Sequence, residues 1–177
     1  LAANQNFPQA QFNLGMIYLK GKYIKQDINK AINYLSLAAN QNFLDAQFNL
    51  GNIYYEDRYI KRDIIKSIYY YSLAANQNDS DAQRILGTIY YENKYIKRDI
   101  NKSIHYLSLA ANQNYQDAQN MLGRIYYEGK YIERDIIKSI HYFLLAANQN
   151  YPDAQFNLGV IYYEGKYIKR NINKSIH

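Results

Sequence analysis

A six-residue segment recurs along the chain at a fixed spacing, and this spacing constrains the fold more than any other feature. Leu-Ala-Ala-Asn-Gln-Asn begins at Leu1, Leu37, Leu73, Leu109 and Leu145, 36 residues apart each time. A period between roughly 20 and 50 residues is typical of repeat arrays, in which each unit packs mainly on its neighbours. The sequence therefore predicts a solenoid whose length counts units.

The period divides residues 1–177 into units of one continuous solenoid. Residues 1–6 are expected to end a preceding unit. Complete units are expected at 7–42, 43–78, 79–114 and 115–150, and 151–177 begin a truncated one. The chain is therefore expected to be a segment of a longer array. Positions are numbered below as in the unit 7–42, so position 16 also includes residues 52, 88, 124 and 160.

The first half of each unit predicts an amphipathic helix, helix A, over about residues 8–20. Ala10, Leu14, Ile17 and Tyr18 fall on one face of a helix with 3.6 residues per turn. Pro or Asp in the first turn favours the start of this helix. At its end stand residue types that reach positive φ most easily, which predicts a left-handed cap. These are Gly21, Asp57, Asn93, Gly129 and Gly165.

A second helix, helix B, is predicted after a short connector. Its expected N-caps are Asp27, Asp63, Asp99 and Asp135, with Asn171 in the last unit. Ile28, Ala31 and Leu35 form its apolar face, and Asn42 is expected to end it with a left-handed turn. Ile24 and its equivalents in the other connectors are expected to close the end of each unit. Helices this short are marginal alone in water, so neighbouring units must supply stability.

The unit carries a pattern that resembles a known repeat. It reads Ala10-x-Phe12-x-Leu14-Gly15-x-Ile17-Tyr18, then Gly21, Ile24 and Asp27, then Lys30-Ala31-x-x-Tyr34-Leu35-x-x-Ala38-Ala39. This pattern resembles the Sel1-like repeat, a relative of the tetratricopeptide repeat. A pentatricopeptide array fits less well, because that family uses a unit one residue shorter and lacks the Leu-Gly and Ala-Ala pairs.

The resemblance implies both a fold and a class of function. The implied fold is all-α, an alpha-alpha superhelix, that is, a right-handed solenoid of antiparallel helix pairs with 36-residue repeats. The implied function is a scaffold or adaptor for partner proteins, with roles in signalling and in endoplasmic-reticulum-associated degradation. The compartment is not determined by the sequence: the cytoplasm is favoured, and the endoplasmic reticulum lumen is the alternative.

The sequence does not place residues that could act in catalysis or bind a metal in a common site. Cysteine is absent, which excludes disulfides and thiolate chemistry. His105, His141 and His177 occupy one helix B position in successive units, about 10 Å apart for packed helices, which is too far to share a metal. Ser67, Ser103, Ser139 and Ser175 replace Ala31 on the packed face, without His or Asp at catalytic spacing. The sequence predicts a non-catalytic chain without a cofactor, metal or small-molecule substrate.

Differences between the units indicate where a partner binds. Positions 12, 16 and 19 lie opposite the buried stripe of helix A, on the side that lines the concave groove in tetratricopeptide-like stacks. We call them the variable face and predict that it binds a protein or peptide. The alternative is that its aromatic residues pack on the next unit. Its residues are Phe12, Met16, Leu19, Phe48, Asn52, Tyr55, Arg84, Thr88, Tyr91, Asn120, Arg124, Tyr127, Phe156, Val160 and Tyr163.

The connectors form a second candidate surface, the basic edge. The chain has a formal net charge of +6, and such an edge could dock on nucleic acid or an anionic membrane. Glu133 and the Asp caps neutralise part of it, so a merely solvated edge is the alternative. Another possibility is that the array targets or spaces a catalytic domain elsewhere. The basic edge contains Lys22, Lys25, Arg58, Lys61, Arg62, Lys94, Lys97, Arg98, Lys130, Arg134, Lys166, Lys169 and Arg170.

Overall fold

The computed structural model describes residues 7–165, and this part of the chain contains nine α-helices and no strand. The helices are α1 (Pro8–Lys20), α2 (Ile28–Ala39), α3 (Leu44–Tyr55), α4 (Ile64–Asn76), α5 (Ser80–Glu92), α6 (Ile100–Asn112), α7 (Gln116–Glu128), α8 (Ile136–Ala147) and α9 (Pro152–Glu164). The predicted all-α fold is confirmed. The chain divides within α5 into two compact units, Leu1–Leu86 and Gly87–His177.

Helices A and B of one repeat run antiparallel. In the first compact unit, Gln11 on α1 contacts Gln41 at the end of α2, whereas Tyr18 stacks on Tyr34. The second unit repeats this order, with Gln119 opposite Gln149 and Tyr126 on Tyr142. Each helix B also packs on the helix A that follows it, as α2 does on α3, α6 on α7 and α8 on α9.

Small residues allow the paired helices to approach closely. A Cβ atom added to Gly51 on α3 would lie 2.5 Å from the ring of Tyr71, and one added to Gly123 on α7 would lie 2.6 Å from Phe143. Ala38 and Ala39 at the end of α2 are buried, as are Ala46 and Leu50 on α3. The interface between repeats is therefore built from small and medium apolar side chains with little space to spare.

The expected helix ends are largely confirmed. Asp27, Asp63, Asp99 and Asp135 each accept a hydrogen bond from a backbone N–H three residues later. Positive φ occurs at Gly21, Asn93, Gly129 and Gly165 after helix A, and at Asn42, Asn78, Asn114 and Asn150 after helix B. Asn171 lies outside the described residues.

Two expectations about the connectors are wrong. Asp57 does not adopt positive φ, because α3 ends at Tyr55 and the next residue, Glu56, is extended. The Asp57 carboxylate instead accepts a hydrogen bond from the Arg62 backbone N–H at 3.2 Å. Ile24 does not close its unit and is exposed, although Ile60 packs against the first core as expected.

A ladder of glutamines inside the stack was not predicted. Position 11 is buried in every described repeat except the last, where Gln155 is exposed. Gln47 donates to the carbonyl of Ala39 in the preceding repeat at 3.1 Å, and its Oε1 accepts from Gln77 of its own repeat at 2.7 Å. The Gln of the recurring hexapeptide therefore ties helix B to helix A. Helix periodicity predicts that a polar residue at position 11, next to Ala10, faces solvent. The burial of this glutamine therefore could not be inferred from the sequence.

A cation–aromatic cluster at each connector was also not predicted. In the first repeat, Lys30 pairs with Asp27 at 3.4 Å and lies 5.3 Å from the ring centroid of Tyr18. Tyr18 stacks on Tyr34 with ring centroids 5.9 Å apart. The same group recurs in the next three repeats, at Lys66, Lys102 and Lys138. Because these lysines are exposed, each ion pair contributes little to stability by itself.

The buried serines of helix B test how much a hydrogen bond to a buried hydroxyl contributes to stability. The Ser67 hydroxyl donates to the Gly51 carbonyl at 3.0 Å, whereas the buried Ser103 and Ser139 hydroxyls have no hydrogen-bond partner. Since Ala31 occupies this position in the first repeat, Ser103→Ala and Ser139→Ala should stabilise the fold by about 1 kcal/mol. Ser67→Ala should destabilise it by about the same amount. Urea unfolding of the three variants measures this, and equal effects at all three sites would contradict it.

The glutamine ladder predicts a large and local cost for one substitution. Gln119→Leu removes a hydrogen bond to the Ala111 carbonyl, which keeps the one from the Asn114 backbone N–H, and it removes the acceptor of the Gln149 amide. We expect a loss of about 2 kcal/mol in unfolding free energy. The matched control is Gln155→Leu, at the same position but exposed, which should change stability by less than about 0.5 kcal/mol. Similar losses in both variants would argue against the ladder.

Asp63 and Asp79 should change the stability of the fold in opposite directions as the pH changes. The Lys66 backbone N–H lowers the pKa of Asp63, so its stabilising effect is present above the unfolded-state pKa and is lost as pH falls through the folded-state pKa. Burial raises the pKa of Asp79, so its ionisation destabilises the fold as pH rises through the folded-state pKa. Asp63→Asn should therefore lower stability at neutral pH, and Asp79→Asn should raise it. In melting curves, both differences should vanish in acid, below both pKa values.

Candidate partner-binding surface

Most side chains at position 19 of the variable face are less accessible than those of an open docking surface would be. Leu19 is buried, with 6% of its surface exposed, and belongs to the first core. Tyr55 is half-buried and packs edge-on against Tyr71. Tyr91 and Tyr127 are also half-buried and donate hydrogen bonds to Glu128 and Glu164 of the following repeats. The packing alternative therefore describes these side chains well, and Leu19 leaves the set of partner contacts that we propose.

Hydrogen bonding and burial affect the tyrosines chemically as well. Burial raises the pKa of Tyr91, and the adjacent Glu128 carboxylate raises it further. Burial likewise raises the pKa of Tyr71, whose hydroxyl donates to Asn52 at 2.7 Å. These hydroxyls therefore remain protonated donors at neutral pH. They link helices rather than providing a reactive group.

Position 12 differs strongly in exposure between repeats. Phe12 packs against Phe43 with ring centroids 5.3 Å apart, and Phe48 packs against Tyr71. Asn120 is only 6% exposed and accepts a hydrogen bond from Asn157 at 3.2 Å. Asn120 is therefore an interior residue and also leaves the set. Arg84 is half-buried, and Phe156 is 72% exposed.

Position 16 is the most accessible part of the variable face. Met16, Asn52, Thr88 and Val160 are half-buried, and Arg124 is exposed. Arg124 forms an ion pair with Glu128 at 3.5 Å. It also lines a small cavity of about 20 Å³ together with Tyr91, Met121 and Ile125. A side chain of a bound partner could contact both the charged group and the apolar surface at this place.

Several side chains of the basic edge bind groups within the protein itself, which the sequence did not predict. The Arg62 and Arg98 Nε atoms donate to the carbonyls of Tyr55 and Tyr91, and Arg134 donates to Glu128. These guanidinium groups cap the carboxyl ends of helix A, as Gln26 does for Leu19. At position 22, Lys22, Arg58, Lys94 and Lys130 lie over the ring of the next residue.

The remaining basic-edge residues are mainly solvent-facing lysines. Lys25, Lys61 and Lys97 are exposed, and position 25 of the fourth repeat is Glu133. Lys166, Lys169 and Arg170 lie outside the described residues. An arginine whose guanidinium group caps a helix end is not equivalent to one that is fully available to an external anion. The structure thus assigns part of this edge to local stabilisation.

The histidines and serines occupy the expected kinds of position. His105 and His141 are exposed and lie edge-on to Tyr106 and Tyr142, whereas Ser67, Ser103 and Ser139 are fully buried. His177 and Ser175 lie outside the described residues. Within residues 7–165, no three His, Asp or Glu side chains are grouped closely enough to hold a metal. No helix of that range has the length and apolarity to cross a membrane.

Solved structures provide the comparison for this arrangement. A Sel1 repeat protein from Oxalobacter formigenes is 32% identical over 99% of this chain and 72% of its own, with a TM-score of 0.77. Protein c5321, a protective antigen of uropathogenic Escherichia coli, is 28% identical with a TM-score of 0.84. This chain spans only 39% of c5321. Cysteine-rich protein B from Helicobacter pylori is 29% identical over 76% of this chain, with a TM-score of 0.54.

Sequence comparison gives the family directly. Curated proteins yield no significant match. The family model for the Sel1 repeat matches five successive segments, residues 8–43, 44–79, 80–115, 116–151 and 152–177. These segments begin 36 residues apart, as the recurring hexapeptide does. The chain belongs to the Sel1 repeat family.

Proposed function

We propose that this chain is a non-catalytic scaffold that binds a partner protein or peptide through the variable face of helix A. Sel1 repeat proteins generally serve as scaffolds for protein–protein interaction and are typically non-catalytic. The proposal adds a surface to that general role. It concerns the remaining accessible residues, because Leu19 and Asn120 are buried.

The observation that supports the proposal is the contrast between positions 15 and 16. Position 15 is Gly in all five copies, and in the first four of them helix B passes too close for a Cβ atom. Position 16 is Met16, Asn52, Thr88, Arg124 or Val160, so neither size, charge nor polarity is retained. These residues are half-buried or exposed. Because the residue type at position 16 changes from repeat to repeat while the fold does not, these side chains are available to define a binding specificity.

The scaffold holds these side chains on a firm support. In the second compact unit, Tyr91 and Tyr127 each hydrogen-bond to the next helix A. Asn120 on α7 also accepts a hydrogen bond from Asn157 on α9 at 3.2 Å. Binding to a surface that is already ordered costs less conformational entropy than binding to one that must be ordered. A partner would therefore meet a largely preformed face.

Docking of nucleic acid or an anionic membrane on the basic edge receives less support. Arg62, Arg98 and Arg134 donate to main-chain carbonyls at helix ends. A phosphate would have to compete with these carbonyls for the same donors. The alternative nevertheless makes a distinct prediction, since nucleic-acid binding weakens steeply with salt and is removed by nuclease.

Site-specific crosslinking tests the proposal in each compact unit separately. A photoreactive amino acid is placed at Met16 or Arg124 on the variable face, and at Asn33 or His141 on the exposed side of helix B as matched controls. We expect the same partner to crosslink from Met16 and Arg124 and from neither control. Crosslinking mainly from the control positions, or loss after nuclease treatment, would contradict the proposal.

Affinity measurements with the identified partner complete the test. Arg124→Glu should weaken binding by about tenfold or more if Arg124 is a central contact. His141→Glu, an equally exposed substitution on the same repeat, should leave binding unchanged. Circular dichroism must show the same helix content in both variants. Equal affinities for the two would argue against this face.

A further inference from the structure

Charge is segregated between the two ends of the helices. We define the turn edge as residues 40–46, 76–82, 112–118 and 148–154, which join each helix B to the next helix A. These segments contain Asp45, Asp79, Asp81, Asp117 and Asp153 and no Lys or Arg. The connector segments 20–30, 56–66, 92–102 and 128–138 contain fifteen Lys or Arg and nine Asp or Glu. Antiparallel packing places the two kinds of segment at opposite ends of the helices within each compact unit.

The two edges do not neutralise each other within one molecule. A helix of 13 residues is about 20 Å long, whereas electrostatic interactions in physiological salt are screened over about 8 Å. Carboxylates of the turn edge do influence one another: burial raises the pKa of Asp79, and Asp81 and Asp45 raise it further. Asp45, Asp81 and Asp153 are exposed, as are Lys25, Lys61 and Lys97 on the basic edge. Both charge excesses therefore face solvent.

Local helix chemistry explains why each residue is present but does not remove the excess. Asp45, Asp117 and Asp153 lie in the first turn of a helix, where a carboxylate interacts favourably with the helix dipole. The basic edge includes arginines that cap helix ends. The lysines at position 25, however, are exposed, and Glu133 replaces them in one repeat without disturbing its helices. Their charge is therefore not needed for the fold.

We propose that the turn edge of one molecule docks against the basic edge of a second copy of this chain. The occupant is a second copy because its complementary edge carries charges with the same spacing, one group per 36-residue repeat. Alignment of one repeat with its counterpart therefore aligns the neighbouring repeat of the same compact unit. Each molecule offers both edges, so the contact is heterologous and association continues beyond a dimer. Coulomb attraction drives it, so salt dissolves it.

Sedimentation velocity and light scattering measure the association directly. At about 20 mM ionic strength, where screening extends over about 20 Å, the average mass should rise with concentration and pass that of a dimer. At about 300 mM it should return to the monomer mass. A constant monomer mass at low salt would overturn the proposal. Loss of association after nuclease treatment would also overturn it, since nucleic acid would then bridge the basic edges.

Complementary charge reversals test the pairing of the edges. Variant one carries Lys25→Glu, Lys61→Glu and Lys97→Glu, matching Glu133 at the same position. Variant two carries Asp45→Lys, Asp81→Lys and Asp117→Lys. Each alone should remain monomeric. Variant one has equal numbers of basic and acidic residues in its connector segments and so no excess positive charge there, and variant two has a net positive turn edge. In an equimolar mixture the turn edge of variant one can dock on the basic edge of variant two, so heterodimers should form at low salt. Failure of the mixture to associate would overturn the proposal.

Two controls separate edge pairing from net charge and from unfolding. Lys25→Gln, Lys61→Gln and Lys97→Gln should weaken association, whereas Asn33→Glu, His105→Glu and His141→Glu, which lie outside both edges and make the same change in net charge, should not. Asp45→Gln, Asp81→Gln and Asp117→Gln replace variant two if the lysines disturb helix A, since Gln9 occupies this position in the first repeat. Equal weakening by the lysine set and by the helix B set would contradict the proposal. Partner crosslinking at Met16 or Arg124 is independent of all these outcomes.

Discussion

The structure depends on close contact between helices that are too short to be stable alone. Each has 12 or 13 residues, which is marginal for an isolated helix in water. Gly at position 15 and Ala at positions 38 and 39 let neighbouring helices meet at small distances, and larger side chains fill the rest. At Gly51 the ring of Tyr71 occupies the space that a Cβ atom would take. Repetition of the same residues in every unit follows from this constraint.

Polar groups inside the stack add specificity to that packing. Gln47 and Gln119 reach carbonyls at the end of the preceding helix B and also meet the Gln of the recurring hexapeptide. A buried amide that lacks its partner is costly, so the ladder favours one alignment of helix A against its neighbours. With alignment secured by invariant positions, the accessible positions of helix A are left to vary. That division supports a binding role for the variable face.

Much of the fold could be predicted because its determinants are local. Helix starts at Asp27 and Asp63 and left-handed ends at Asn42 and Gly129 follow from the preferences of single residues. Asp57 shows the limit of this reasoning, since α3 ended early and positive φ was not needed there. The candidate surface was harder. Leu19 and Asn120 have the spacing of exposed residues, yet neighbouring helices bury them.

The sequence by itself determined the period, the helix pair, most helix ends and the family to which the chain belongs. These depend on interactions within a few residues, repeated until the signal is unambiguous. Only the tertiary structure decided that Gln47 is interior, that Arg62 caps a helix and that Tyr91 binds Glu128. Such roles depend on which atoms of a helix distant in sequence lie within hydrogen-bonding distance. Helix periodicity reports the face of a residue but not the depth to which its neighbours cover it.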